Sequence, residues 1–133
     1  MGRTRTIGMC GTAIAAAVLL SAAQRPKALA PTAPGIWEIS GLPNSAAPVR
    51  QCFNDTALLA RLEHRGQNCT QTVISDTPAT TVIEYKCPQG GFGQSKMTLI
   101  TPRSLRIETQ GISRGYPFNY VIQARRVANC DVH

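Results

Sequence analysis

Apolar and polar residues alternate on both sides of Pro78, and the two alternating runs mirror each other. Both runs are rich in β-branched and aromatic residues, which is typical of strands, and the proline between them favours a turn. When the two runs are paired, one face of the hairpin is largely apolar and ends in two thiols, whereas the opposite face is mostly polar. The pattern predicts a disulfide-closed hairpin over Cys69–Cys87. Its predicted cross-strand pairs are Cys69 with Cys87, Thr70 with Lys86, Gln71 with Tyr85, Thr72 with Glu84, Val73 with Ile83, and Ile74 with Val82.

A second hairpin is predicted from Gln94–Ile100 and Ser104–Gln110. A three-residue loop between these strands sets apolar residues against each other and places Lys96 opposite Glu108, a favourable pair of charges. A two-residue loop would shift every pairing and set Met97 against Glu108. We therefore favour the three-residue loop.

The rest of the chain adds strands and one helix. Asn54 or Asp55 can cap a short α-helix whose leucines share one face and which ends at Gly66. We expect a mainly β fold: an antiparallel meander of about six strands, forming a small open barrel or a sandwich, with one short α-helix after an N-terminal signal peptide. The further strands are predicted at Ile36–Ile39, Val49–Phe53 and Tyr116–Ala124.

The N-terminal residues predict export. Residues 1–23 have a basic start, an apolar run and a small-residue end, which is the order of a secretory signal peptide with cleavage after Ala23 or Ala30. A membrane anchor is the alternative, but it needs about 20 apolar residues and glycines dilute this run. Residues 24–33 are rich in proline and alanine and predict a disordered or extended linker. The disulfide-stapled β domain is assigned to residues 34–133.

Four of the five cysteines remain once the leader is removed. An even number in an exported chain indicates two disulfides in an oxidising compartment, so we expect a periplasmic or secreted protein. The hairpin mirror favours Cys69–Cys87, which leaves Cys52–Cys130, and the other two connectivities stay open. A zinc site is the alternative, but there is no C-x-x-C and neither histidine has ligand spacing.

The chain is basic, with a formal net charge of +7 that falls to +5 without Arg3 and Arg5 of the leader. A basic surface attracts polysaccharides, phospholipid headgroups or nucleic acid. The basic residues are scattered along the sequence, however, and the only doublet is Arg125-Arg126. Nucleic-acid binding favours a basic stripe with interleaved aromatic residues. We therefore expect no nucleic-acid partner, and membrane contact only through the signal peptide before cleavage.

Residues for catalysis do not form a usable pattern. His64 falls on a predicted exposed helix end and His133 at the C-terminus, and neither lies near a G-x-S-x-G serine. The pattern places Glu38, Glu84 and Glu108 on solvent-exposed strand faces. No glycine-rich loop carries the lysine and following helix that phosphate binding needs. We expect a protein that is not an enzyme, with no catalytic, cofactor-binding or metal-binding residue.

The few aromatic residues are the remaining candidates for a ligand surface. The single tryptophan is expected to anchor the core, since aromatic residues dominate small cores. A binding module of this size would need an apolar concavity on its sheet or in a barrel mouth. The candidate ligand-facing residues are Trp37, Phe92, Phe118 and Tyr120.

Five short motifs follow one another along the domain: Pro34–Glu38, Cys52 before a helix, Asn68-Cys69, the strand end at Cys87, and Ala124–Asp131. In the order of these motifs the chain resembles the domain-of-unknown-function 3617 family of small exported proteins of Gram-negative bacteria. The resemblance implies a periplasmic location and transfers no activity or functional residues.

These features favour a non-catalytic envelope binding or interaction module, whose partner would be an envelope component or a small apolar ligand. The alternative is a periplasmic lysozyme inhibitor, because Val82–Cys87 is similar to the tyrosine-x-cysteine strand of those proteins. An enzyme of unknown type is a third hypothesis, and it would need a cleft that gathers His64 with acids or serines.

Overall fold

The structure is a computed structural model that describes Gly2, Gly8, residues 11–14 and residues 25–131. The predicted signal peptide therefore lies largely outside the described residues. None of the helices in the described ranges is long and apolar enough to cross a bilayer. The described strands are β1 (Gly35–Ser40), β2 (Val49–Phe53), β3 (Thr70–Asp76), β4 (Thr80–Lys86), β5 (Phe92–Thr101), β6 (Ser104–Ser113) and β7 (Tyr116–Ala128).

All seven strands form one open antiparallel sheet in the order β2-β1-β7-β6-β5-β4-β3. The last five strands are the expected meander, in which each strand pairs with the next along the chain. The β1–β2 hairpin joins this meander through pairing of β1 with β7, the two strands farthest apart in sequence. The mainly β prediction is confirmed, and the strands form one open sheet and not the two packed sheets of a sandwich.

The register of the β5–β6 hairpin is the predicted one, with Lys96 opposite Glu108. In the β3–β4 hairpin the outer pairs also agree, but Ser75 rather than Ile74 lies opposite Val82. The cause is the turn. Thr77 pairs with Thr80, so the loop has two residues, Pro78 and Ala79. The predicted pairing is symmetric about Pro78 alone and therefore requires a loop with an odd number of residues. A β-bulge at the edge strand absorbs the extra residue, so the predicted pairing of Ile74 is wrong.

One face of the sheet carries the core, and we call it the covered face; the opposite side is the open face. Burial alternates along β1, so Trp37 and Ile39 point to the covered face. The helix Thr56–His64 packs there, capped by the Asp55 carboxylate, which accepts a hydrogen bond from the Ala57 amide. It has 3-10 rather than α geometry. The core cluster comprises Leu29, Trp37, Ile39, Phe53, Leu59, Ala60, Leu62, Ile83, Met97, Leu105, Ile107, Ile122 and Ala124.

Residues 25–33 do not form the linker that their composition predicts. Lys27–Leu29 forms a 3-10 turn, and Leu29 is fully buried in the core cluster. The Lys27 amide donates to the Asp76 carboxylate at 2.7 Å, and so the turn is fixed to the end of β3. Ala28 is fully buried beside Leu29, so the segment packs on the sheet through both side chains. The folded domain therefore includes residues from about position 25, not position 34.

The two disulfides lie at opposite edges of the sheet. Cys52 in β2 bonds to Cys130, just beyond β7, and Cys69 before β3 bonds to Cys87 after β4. These are the two pairings that the sequence favours. β2 and β3 are the edge strands, so each pairs with another strand on one side only. Each disulfide adds a covalent link between such an edge and the rest of the sheet.

Candidate functional site

A groove of about 930 Å³ opens beside the β6–β7 turn, and we call it the hairpin groove. Three segments form its walls: the loop 41–48, the end of the helix, and the β6–β7 hairpin. The loop begins at Gly41 with φ of +92°, where a Cβ would lie 2.7 Å from the Val121 carbonyl oxygen. Only glycine suits that turn. The groove is lined by Leu42, Pro43, Asn44, Ser45, Val49, Leu62, Glu63, Arg65, Ser113, Arg114, Tyr116, Pro117, Phe118 and Tyr120.

Alternate residues of β7 supply the aromatic wall of the groove. Phe118 and Tyr120 point to the covered face beside Gly111 and Thr109, and their ring centroids lie 5.9 Å apart. Both rings are half-buried, because the helix ends before it can cover this part of the sheet. Tyr116 precedes them and is 76% exposed. Three aromatic rings thus follow one another along the groove.

A hydrogen bond fixes the inner end of this wall to the helix. The Tyr120 hydroxyl donates to the Glu63 carboxylate at 2.9 Å. Burial, followed by this hydrogen bond and the charge of Glu63, raises the pKa of Tyr120 well above its usual range. The phenol therefore stays protonated and remains a donor to Glu63 at neutral pH.

His64 lies behind the groove and is buried, not on the exposed helix end that the sequence predicts. Non-helical backbone at Arg61 redirects the last helical turn, so His64 joins Leu62 on the buried side although they are two positions apart. A regular helix would not place such residues on one face. His64 Nδ1 lies 2.9 Å from the Tyr85 hydroxyl, and burial raises the pKa of that phenol well above its usual range.

The structure separates the four candidate ligand-facing residues. Phe118 and Tyr120 line the groove together, as a ligand site would require. Trp37 does not contribute, because it is fully buried in the core and its indole N–H donates to the Ala33 carbonyl. Phe92 is 48% exposed and does not line the groove, but it lies on a second concavity that Phe118 also borders. Trp37 is therefore not ligand-facing, whereas Phe92, Phe118 and Tyr120 remain candidates.

Sequence reasoning missed the other walls of the groove. Tyr116 and Val49 are only the first residues of predicted strands, and no local pattern places the residues between the first two strands against β7. Their position depends on the pairing of β1 with β7, which is a long-range contact.

The groove combines aromatic rings with a polar and charged rim. Among its lining residues Glu63 is the one carboxylate, and Asn44, Arg65 and Arg114 supply amide and guanidinium donors. In residues 25–131 no three His, Cys, Asp or Glu side chains come together as metal ligands. The arrangement can bind a ligand through ring contacts and hydrogen bonds.

The chain thus forms one antiparallel sheet with two disulfides and an open groove beside the β6–β7 turn. Comparisons of the chain with protein-family models, curated proteins and solved structures found no match. The resemblance in the short motifs therefore stays a prediction.

Proposed function

We propose that this protein is an exported, non-catalytic binding module whose hairpin groove takes a saccharide of the cell envelope. The observation that carries the proposal is the run of three aromatic rings in an open groove edged by hydrogen-bonding side chains. Sugar rings have an apolar C–H face that packs on aromatic rings and hydroxyl groups that need hydrogen-bond partners at the edge.

The rim favours a saccharide over a simple apolar ligand. Asn44 and Ser45 lie on one wall of the groove, and Glu63, Arg65 and Arg114 on the others. An acyl chain would leave these polar groups desolvated without hydrogen bonds, which costs free energy for each group. A polyhydroxylated ligand can satisfy them.

The same side chains support binding without turnover. The Glu63 carboxylate already accepts the Tyr120 hydroxyl, and no second carboxylate lines the groove to complete the pair that glycoside hydrolysis normally uses. His64 lies behind the groove with Nδ1 bonded to Tyr85, so it does not meet Glu63 in a shared cleft. Export is supported by two disulfides, which persist in oxidising compartments.

Calorimetric titration with the trisaccharide of N-acetylglucosamine tests the proposal. We expect saturable binding that Tyr116→Ala weakens at least tenfold, because the exposed ring provides packing area but little fold stability. Ile100→Ala is the control, since it removes an exposed apolar side chain of the same sheet outside the groove, and it should leave the affinity unchanged. Binding of decanoate in place of the sugar, or equal losses in both variants, would contradict the proposal.

A further inference from the structure

Four arginines from distant parts of the sequence meet at one end of the sheet. Arg50 lies in β2, Arg103 in the β5–β6 turn, and Arg125 and Arg126 in β7. The pairing of β1 with β2 and with β7, and of β7 with β6, brings them together. The basic residues are scattered in the sequence, but at this end of the molecule they are not scattered in space.

Three of the arginines line one open surface depression of about 420 Å³, which we call the arginine cavity. Arg103, Arg125 and Arg126 line it together with Thr101, Ser104 and Val127. The Arg126 amide donates to the Arg103 carbonyl at 2.9 Å, which fixes the β5–β6 turn beside β7. The register places Arg125 and its partner Ser104 on the open face with Glu38, whereas Arg126 lies opposite Trp37 and points to the covered face. The side-chain donors of Arg125 and Ser104 therefore lie together beside the turn that carries Arg103.

Contacts with the surrounding structure hold two of these guanidinium groups in place. Arg126 Nε donates to the Pro34 carbonyl at 2.9 Å, and its Nη2 donates to the Asn129 side chain. Arg125 Nη2 lies 3.3 Å from the Glu38 carboxylate. Each guanidinium has five N–H donors, so Arg125 keeps further donors for a ligand on the open face, while Arg126 anchors the chain around it.

The cluster carries more positive than negative charge. Glu38 is bonded to both Arg50 and Arg125, with N···O distances of 2.9 and 3.3 Å. The hydrogen bond from Arg50 and the charges of both arginines lower the pKa of Glu38, so its carboxylate is ionised at neutral pH. Within residues 25–131, neither Arg103 nor Arg126 has a carboxylate within 4.0 Å. One carboxylate thus faces four arginines.

We propose that the arginine cavity binds a phosphate monoester group. Arginine presents paired N–H donors that match phosphate oxygens, and phosphate monoesters carry nearly two negative charges at neutral pH. Arg103 is the principal ligand, because its guanidinium has no carboxylate partner among the described residues and contacts only the Arg126 carbonyl oxygen, at 3.5 Å. Arg125 and the Ser104 hydroxyl complete the donor set, and the Arg126 backbone holds the turn that carries Arg103 in place. The site lies apart from the hairpin groove and is independent of the proposed saccharide ligand.

An NMR titration of the arginine Nε–Hε signals with inorganic phosphate tests this site. We expect saturable shifts at Arg103 and Arg125 that sodium chloride at equal ionic strength does not reproduce. Arg103→Gln should weaken phosphate binding at least tenfold. Lys86→Gln removes one positive charge at the far end of β4, away from the β5–β6 turn, and should leave the binding unchanged. Shifts reproduced by chloride, or equal losses in both variants, would overturn the proposal.

Vesicle sedimentation then separates the two sources of the group. Phosphatidylcholine vesicles containing phosphatidic acid present a phosphate monoester on a lipid, and pure phosphatidylcholine vesicles are the control. Binding to the first that Arg103→Gln abolishes assigns a lipid headgroup. Binding of inorganic phosphate without vesicle binding assigns a phosphorylated solute, and both outcomes support the cavity. Vesicle binding that survives Arg103→Gln would contradict its role.

Discussion

The two disulfides differ in the length of chain that they close, and this difference predicts their relative contributions to stability. Cys52–Cys130 spans 78 positions and Cys69–Cys87 spans 18. In the chain-entropy treatment, removing the longer link lowers the free energy of unfolding by about 4.5 kcal/mol, and removing the shorter link by about 3 kcal/mol. Both links join segments that strand pairing already holds close, so the difference arises mainly in the unfolded chain.

Urea unfolding of the paired variants Cys52→Ala/Cys130→Ala and Cys69→Ala/Cys87→Ala measures this difference. We expect the first variant to be less stable by about 1 kcal/mol, and to have the steeper dependence on urea because its unfolded chain is less compact. A Cys69→Ala/Cys87→Ala variant that is equally or more destabilised would refute the reasoning. It would mean that packing around the buried Cys87 outweighs chain entropy.

The remaining predictions concern the start of the domain and the buried side chains behind the groove. Leu29→Ala should lower the free energy of unfolding by about 2–5 kcal/mol, measured by thermal unfolding. Mass spectrometry of the mature chain should find Leu29 retained, because cleavage after Ala30 would remove part of the core. Gly91→Ala should destabilise the fold, since its Cβ would collide with the ring of His64, and a melting temperature equal to that of the parent would contradict this. The raised pKa of Tyr120 favours the folded state below about pH 10, and this stability is lost as the pH rises. Because Glu63 contributes to the raised pKa, Glu63→Gln should lower the alkaline midpoint of phenolate absorbance. An unchanged midpoint would show that Glu63 does not perturb the phenol.

Local patterns predicted the strands, because each reports its own alternation of buried and exposed residues. Lys96 and Glu108 sit on strands joined by a short loop, so their register could be counted from the sequence. The same counting predicts the wrong partner for Ile74. The two-residue turn shifts the pairing by one residue, and a bulge at Ile74 restores the predicted register only beyond it, from Val73 onward. The burial of Leu29 was missed because proline and alanine around it resemble a linker.

The hairpin groove and the arginine cavity could not be predicted, and the reason is the same for both. Each depends on β1 pairing with β7, which joins the two ends of the domain. That contact brings the loop after β1 beside Phe118, and it brings Glu38 beside Arg125. No local alternation encodes which strands become neighbours over such a separation. The burial of His64 was missed for a different reason, since it depends on a helix interruption at Arg61 that has no proline or glycine to mark it.

Mapping amide shifts by NMR during titration with the trisaccharide of N-acetylglucosamine tests the central claim, that the hairpin groove is the binding site, most directly. The account predicts saturable shifts concentrated at Asn44, Tyr116 and Phe118, with little change along β3 at the far edge of the sheet. Shifts confined to the open face, or no saturable shift at any sugar concentration, would contradict it.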